Sequence, residues 1–155
     1  MFGSGMPIEM IGWHLARFDA VLNELEIQEV LALETPLAEF AIHANSTAAT
    51  AYLAQTGETG ISLPDPVAMA VLLDPKLKLE VSHHYVAIEC NSRLTRGMTI
   101  VDRPGVAIDS RNSVVWSDIT RKEQNAEICW KLDVPGWKAE LMAALKPAES
   151  RSFIT

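Results

Sequence analysis

Gly60-Ile61-Ser62-Leu63-Pro64-Asp65-Pro66-Val67-Ala68-Met69-Ala70-Val71-Leu72-Leu73-Asp74-Pro75 is the stretch whose reading decides the fold. Pro64 disfavours helical dihedrals at Leu63, so the chain arrives there extended. Asp65 then stands where a helix N-cap belongs. Pro66 takes the first helical position, where a missing N–H costs nothing. From Val67 to Leu73 every residue is apolar, which predicts a short helix buried on all faces. Asp74-Pro75 ends it. Asp65, at the mouth of this helix, is the one polar group of the stretch placed for chemistry. Its structural reading is a cap, a carboxylate accepting a backbone N–H; having two oxygens, it can serve both roles.

Working outward, strands and helices alternate, which predicts the α/β class. Upstream, Pro7 to Leu15 reads as a buried strand. Asn23 and Glu26 have capping-box spacing and start a helix through about Leu33. Thr35-Pro36 opens a longer helix from Leu37 to about Gln55, with Leu37, Phe40, Ala41, Ala44, Ala48, Ala51 and Tyr52 at roughly helical spacing. Downstream, His84 to Cys90 and Met98 to Val101 read as strands with Thr95-Arg96-Gly97 at a bend between them. Val114-Val115-Trp116 and Glu127 to Leu132 read as further strands. Pro135-Gly136-Trp137 leads a closing helix through Leu145. The expected organisation is one domain over residues 1–146 and a loose tail over residues 147–155.

At 155 residues the chain is long enough for a real core. A net charge of −7 argues against a nucleic-acid or anionic-membrane surface, both of which need clustered Lys and Arg. No apolar run reaches the length needed to span a bilayer, and the first residues lack a signal-peptide pattern. Cys90 and Cys129 have neither metal nor redox spacing, so they read as reduced thiols of a cytoplasmic protein.

Leu63-Pro64-Asp65-Pro66-Val67-Ala68-Met69-Ala70, then Leu73-Asp74-Pro75, then Leu94-Thr95-Arg96-Gly97-Met98-Thr99-Ile100-Val101-Asp102-Arg103 resemble, in order and spacing, the C-terminal half of the inosine-uridine preferring nucleoside hydrolases. Gly5-Met6-Pro7-Ile8-Glu9-Met10-Ile11-Gly12 is similar to the strand that opens that half. The resemblance implies an α/β fold with a mixed sheet flanked by helices, and an ancestral task of hydrolysing the N-glycosidic bond of ribonucleosides. It implies that Asp65 is a metal ligand, for an active-site Ca²⁺ that holds the nucleophilic water and the ribose hydroxyls. Oxygen ligands suit that hard cation. It implies a substrate-side position for Tyr52, whose structural alternative is a core tyrosine with a partnered hydroxyl. At Pro64 well-known members carry a histidine that protonates or orients the leaving base. Proline can do neither, which implies an altered substrate preference or lost activity.

The Asp-rich motif that supplies most of the family's Ca²⁺ ligands and its general base is not among these residues, nor is its Asn/Glu/Asn ribose-binding segment. A Ca²⁺ site takes six or more oxygens. The expectation is therefore that this chain alone holds no Ca²⁺ and does not hydrolyse nucleosides, so none of its residues is assigned as catalytic. Other candidates weaken on chemical grounds. His83 and His84 are neighbours on a strand and face opposite sides, so they cannot share an ion. His14 and His43 stand alone, and Ser62 lacks a nucleophile-elbow context. Three readings remain: a hydrolase-type domain, a non-catalytic self-associating or binding module, and one chain of a split enzyme completed by an N-terminal half. Each exposes an edge and an apolar face that a homo-oligomer would cover.

Overall fold

A computed structural model describes residues 2–112 and 123–147. Among the described residues there are six strands and five α-helices: β1 (Glu9–Ile11), β2 (Val21–Asn23), α1 (Glu24–Leu31), α2 (Pro36–Ala44), α3 (Ser46–Thr56), β3 (Gly60–Ser62), α4 (Pro64–Leu73), β4 (Lys78–Ile88), β5 (Thr99–Asp102), β6 (Ala126–Leu132) and α5 (Val134–Leu145). The α/β class holds, and the larger sheet is mixed. The chain divides into two compact units, one of residues 1–11 and 80–130, the other of residues 12–79 and 131–155.

The first unit is built on a four-stranded sheet of order β1-β6-β4-β5. β1 runs parallel to β6, with Met10 opposite Ile128, and β4 runs antiparallel to β5, with Val86 opposite Val101. Val86, Ala126 and Ile128 are buried, and Ile8, Met10, Val101 and Trp130 pack against them. Val86, Val101 and Ile128 supply β-branched side chains that suit this packing. Asn125 fastens the sheet: its side-chain oxygen accepts from the Val86 N–H at 2.7 Å and its amide donates to the Val86 carbonyl at 2.9 Å. The strand expected from His84 begins at Lys78, and the strand expected from Met98 runs one residue later. Between them the chain turns as the sequence predicts. Gly97 takes a φ of 89°, which only glycine adopts without strain. Across this turn Glu89 accepts N–H groups from Ser92 and Asn91, and these bonds, Ser92 first, hold its carboxyl below the usual range. The strand expected at Val114–Trp116 and residues 148–155 of the expected tail lie outside the described residues.

In the second unit the Asn23 capping box forms in full. Asn23 Oδ1 accepts from the Glu26 N–H at 3.1 Å, and Glu26 Oε2 accepts from the Asn23 N–H at 2.9 Å. Lys138 on α5 reaches both Glu26 oxygens at 2.7 Å. Thr35 caps α2 at 3.1 Å through the Ala38 N–H, and its hydroxyl donates to the Leu145 carbonyl at 2.8 Å. Val30, Ala38 and Leu145 form the core where α1, α2 and α5 meet.

Four expectations are corrected. The helix expected without a break from Leu37 to Gln55 is two helices, divided at Asn45, whose side chain donates back to the Ala41 carbonyl at 2.8 Å. Such local side-chain bonding competes with helix propagation. The buried strand expected over 7–15 keeps only Glu9–Ile11, and a π-helical turn occupies Leu15–Asp19. Finally, Asp65 is not an N-cap. α4 begins at Pro64, Leu63 is its cap residue, and no side chain caps it. Proline's fixed φ suits the first turn, whose N–H groups need no helical partner, so Pro64-Asp65-Pro66 all fit inside it. Nor is α4 buried all round. Val67 and Val71 are buried, whereas Met69, Leu72 and Leu73 are 53%, 71% and 77% exposed.

Candidate functional site

β3 pairs antiparallel with β2, placing Ile61 opposite Leu22, and α3 packs over it. Ser62 Oγ donates to the Ala16 carbonyl at 3.0 Å, which ties the end of β3 to the π-helical turn. That bond leaves Ser62 a structural role rather than a nucleophilic one. Gly60 lets α3 come close: a Cβ there would lie 2.7 Å from Val21 Cγ1 and 3.1 Å from the Tyr52 ring. Where β3 gives way to α4, the first turn of α4, the inner face of α3 and the π-helical turn enclose an open cleft of about 550 Å³.

Tyr52, Pro64 and Asp65 all line this cleft. Tyr52 on α3 is thus brought beside Pro64 and Asp65 at the start of α4. Tyr52 is 6% exposed, so it packs in the core and also presents part of its ring to the cleft. Asp65 is exposed, and its carboxylate takes no hydrogen bond from the described residues. Four further lining residues escape sequence reasoning: Trp13, Arg17, Asn45 and Gln55. Trp13 is 66% exposed at the cleft rather than buried in a strand. The Arg17 guanidinium lies over the Tyr52 ring, 4.6 Å from its centroid, and donates to Gln55 Oε1. No periodicity signals a π-helical turn, so nothing in the sequence alone draws Arg17 towards Tyr52.

The other sequence candidates sit elsewhere. His83 is 3.8 Å from Glu127, whereas His84 faces Ser82 Oγ at 2.8 Å and the Asp102 carbonyl at 3.1 Å. The two rings thus have different partners. A larger cleft of about 1080 Å³ runs beside β1, β4 and β6, with Glu9, His83 and Glu127 among its lining. It contains none of Tyr52, Pro64 and Asp65. A Ca²⁺ ion takes six to eight oxygens, and among the described residues Asp65 is the one carboxylate lining the smaller cleft. Among the described residues no three His, Cys, Asp or Glu side chains are grouped to hold a metal. These residues by themselves do not fit a complete Ca²⁺ shell.

The profile of the inosine-uridine preferring nucleoside hydrolases matches residues 1–139. The pyrimidine-specific ribonucleoside hydrolase RihA of Shewanella woodyi is 33% identical over 129 residues, 78% of this chain and 38% of that protein. Its namesake from Shewanella baltica is 30% identical over 154 residues, 94% of this chain and 42% of that protein. The chain thus spans about two-fifths of the length of the curated relatives it matches. Among solved structures, the plant nucleoside hydrolase PpNRh1 superposes with a TM-score of 0.73 over 94% of this chain and 43% of that one, at 18% identity. The purine-preferring ribonucleoside hydrolase from Gardnerella vaginalis gives a TM-score of 0.65 over 93% of this chain and 41% of that one, at 24% identity. At those identities the superpositions speak for the fold, and they agree with the sequence match: the chain belongs to the inosine-uridine preferring nucleoside hydrolase family.

Proposed function

We propose that this chain supplies one wall of a ribonucleoside N-glycosidic hydrolase site, and that its residues alone do not complete the catalytic machinery. The observation that carries this reading is the meeting of Tyr52, Pro64 and Asp65 in one cleft of a chain of this family. In this reading Tyr52 faces the nucleoside, Pro64 stands beside the leaving base, and Asp65 offers its carboxylate to the family's Ca²⁺. The remaining oxygen ligands, the general base and the ribose-binding groups come from residues beyond these, whether on the same polypeptide or on a complementary N-terminal half. Cys90 and Cys129 are not joined in a disulfide, which accords with a reducing, cytoplasmic setting.

Calorimetry tests the metal side of this reading. Titration of the 155-residue chain with Ca²⁺ should show weak binding or none, because a lone carboxylate competes poorly with water for a hard cation. Tight stoichiometric binding that Asp65→Ala abolishes would mean that the chain builds the site unaided.

A second reading, a self-associating or split arrangement, is favoured by the apolar face of α4. Met69, Leu72 and Leu73 present adjacent apolar side chains at 53%, 71% and 77% exposure, and a face of that kind marks an interaction surface. β1 is also an edge strand of the described sheet, and an edge strand can pair with another chain. The isolated chain is expected to form a homodimer or larger homo-oligomer, and Leu72→Glu combined with Leu73→Glu should shift it towards monomer. Light scattering that finds a monomer mass across a wide concentration range before any substitution would end this reading.

A further inference from the structure

Within the cleft that holds Tyr52, Pro64 and Asp65, Arg17 is the cationic side chain. Its guanidinium lies on the Tyr52 ring at 4.6 Å and donates to Gln55 Oε1. Among the described residues no carboxylate pairs with it, although Asp65 lines the same cleft. An arginine has five N–H donors in a planar fork. Stacking on an aromatic face and one bond to a neutral amide fix the plane of that fork while leaving donors and a full positive charge unspent. Trp13, exposed on the same cleft, adds a flat apolar surface. A cation with spare donors beside an aromatic surface suits a planar ring that carries negative charge on carbonyl oxygens.

We infer that Arg17 is the residue that stabilises the departing base, by charge rather than by proton transfer. This rests on the reading of the cleft as the wall of a nucleoside hydrolase site. In that reaction the C1′–N bond breaks and its electron pair leaves with the base, while a water oxygen bonds to C1′. The water gives up a proton to a base outside these residues, and the departed ring later takes a proton from solvent. Between those events the ring is an anion, with its charge spread over the ring nitrogen and the carbonyl oxygens. Pro64 has no proton to give. Arg17, whose side chain is a guanidinium, does not serve as a proton donor either. Its guanidinium nevertheless meets the developing charge with preorganised donors, and it does so only as the bond breaks.

The test uses the full chain and two pyrimidine rings of similar shape: barbiturate, ionised at neutral pH, and uracil, neutral there. The indole N–H resonance of Trp13 in nitrogen-correlated spectra reports occupancy of this cleft. Barbiturate should bind about tenfold or more tightly than uracil, the factor that a hydrogen bond to a charged group is worth. Arg17→Gln should erase that preference while leaving uracil binding within about twofold, and Arg17→Lys, which keeps the charge and loses the fork, should retain part of it. Unchanged dispersion of the spectra and an unchanged denaturation midpoint show that each variant is folded. Equal binding of the two rings, or a preference that survives Arg17→Gln, overturns the role given to Arg17 while leaving the cleft a ring-binding site. Failure of both rings to move the Trp13 signal overturns the nucleoside reading of the cleft, and the inference with it.

Discussion

Replacing Trp137 by alanine should cost the chain about 3–5 kcal/mol, a large fraction of the stability of a domain. Trp137 is wholly buried at the start of α5 and is the largest of the fully buried side chains. α5 also carries Leu145 into the core shared with α1 and α2, so a cavity under its first turn loosens packing well beyond the site itself. Among the described residues the buried indole Nε1 has no hydrogen-bond partner. A buried donor left unpaired contributes nothing favourable and costs its lost hydration. Trp137→Phe should therefore cost far less than its lost volume implies, about 1–2 kcal/mol, because it removes the unpaired donor along with part of the ring. Denaturant midpoints of the two variants check both statements. Equal losses would mean that the indole N–H is satisfied in solution and that the polar penalty is absent.

How far the fold is legible in the sequence depends on whether a local or a remote partner decides each element. The α1 boundary is legible because Asn23 and Glu26 satisfy each other's backbone groups three residues apart. The turn before β5 is legible because Gly97 needs a positive φ. The break at Asn45 is not, since apolar spacing continues through it and the Asn45 bond to Ala41 is one of several that an asparagine can make. The exposure of Met69, Leu72 and Leu73 is hidden for a different reason. Composition states that these side chains prefer burial but not whether anything within the chain covers them. The site shows the same division. Asp65 and Pro64 can be singled out because they sit in a compact motif that resembles the family's, and Tyr52 because that resemblance implies an aromatic on the substrate side ahead of the motif. Arg17 joins them through a π-helical turn and a long-range contact with Tyr52, neither of which has a pattern to read.

A chain carrying Pro64→His, supplied with the rest of a family site, should turn over natural nucleosides much faster than the parent and activated aryl ribosides only slightly faster. Pro64 is the first residue of α4 and lines the cleft beside Asp65. A histidine there keeps the helix start, because the N–H at that position needs no helical partner. It loses the rigidity of proline, at a cost of about 0.4–1 kcal/mol of stability. Its imidazolium can protonate a departing purine or pyrimidine, and general acid catalysis of that kind is worth about 10²–10⁴-fold. An aryloxide that leaves readily has little need of the proton, so its rate should hardly move. The position of the new histidine adds a second signature. The positive end of α4 disfavours a further positive charge, so the imidazole there should titrate below its ordinary range. Its acid form, and with it the gain, should therefore grow as pH falls through that lowered value and fade above it. The ratio of natural-nucleoside to aryl-riboside turnover, measured for both chains from acid to neutral pH, decides the matter. Equal gains on both substrate types, or a selective gain that does not vary with pH, would show that residue 64 does not govern departure of the base.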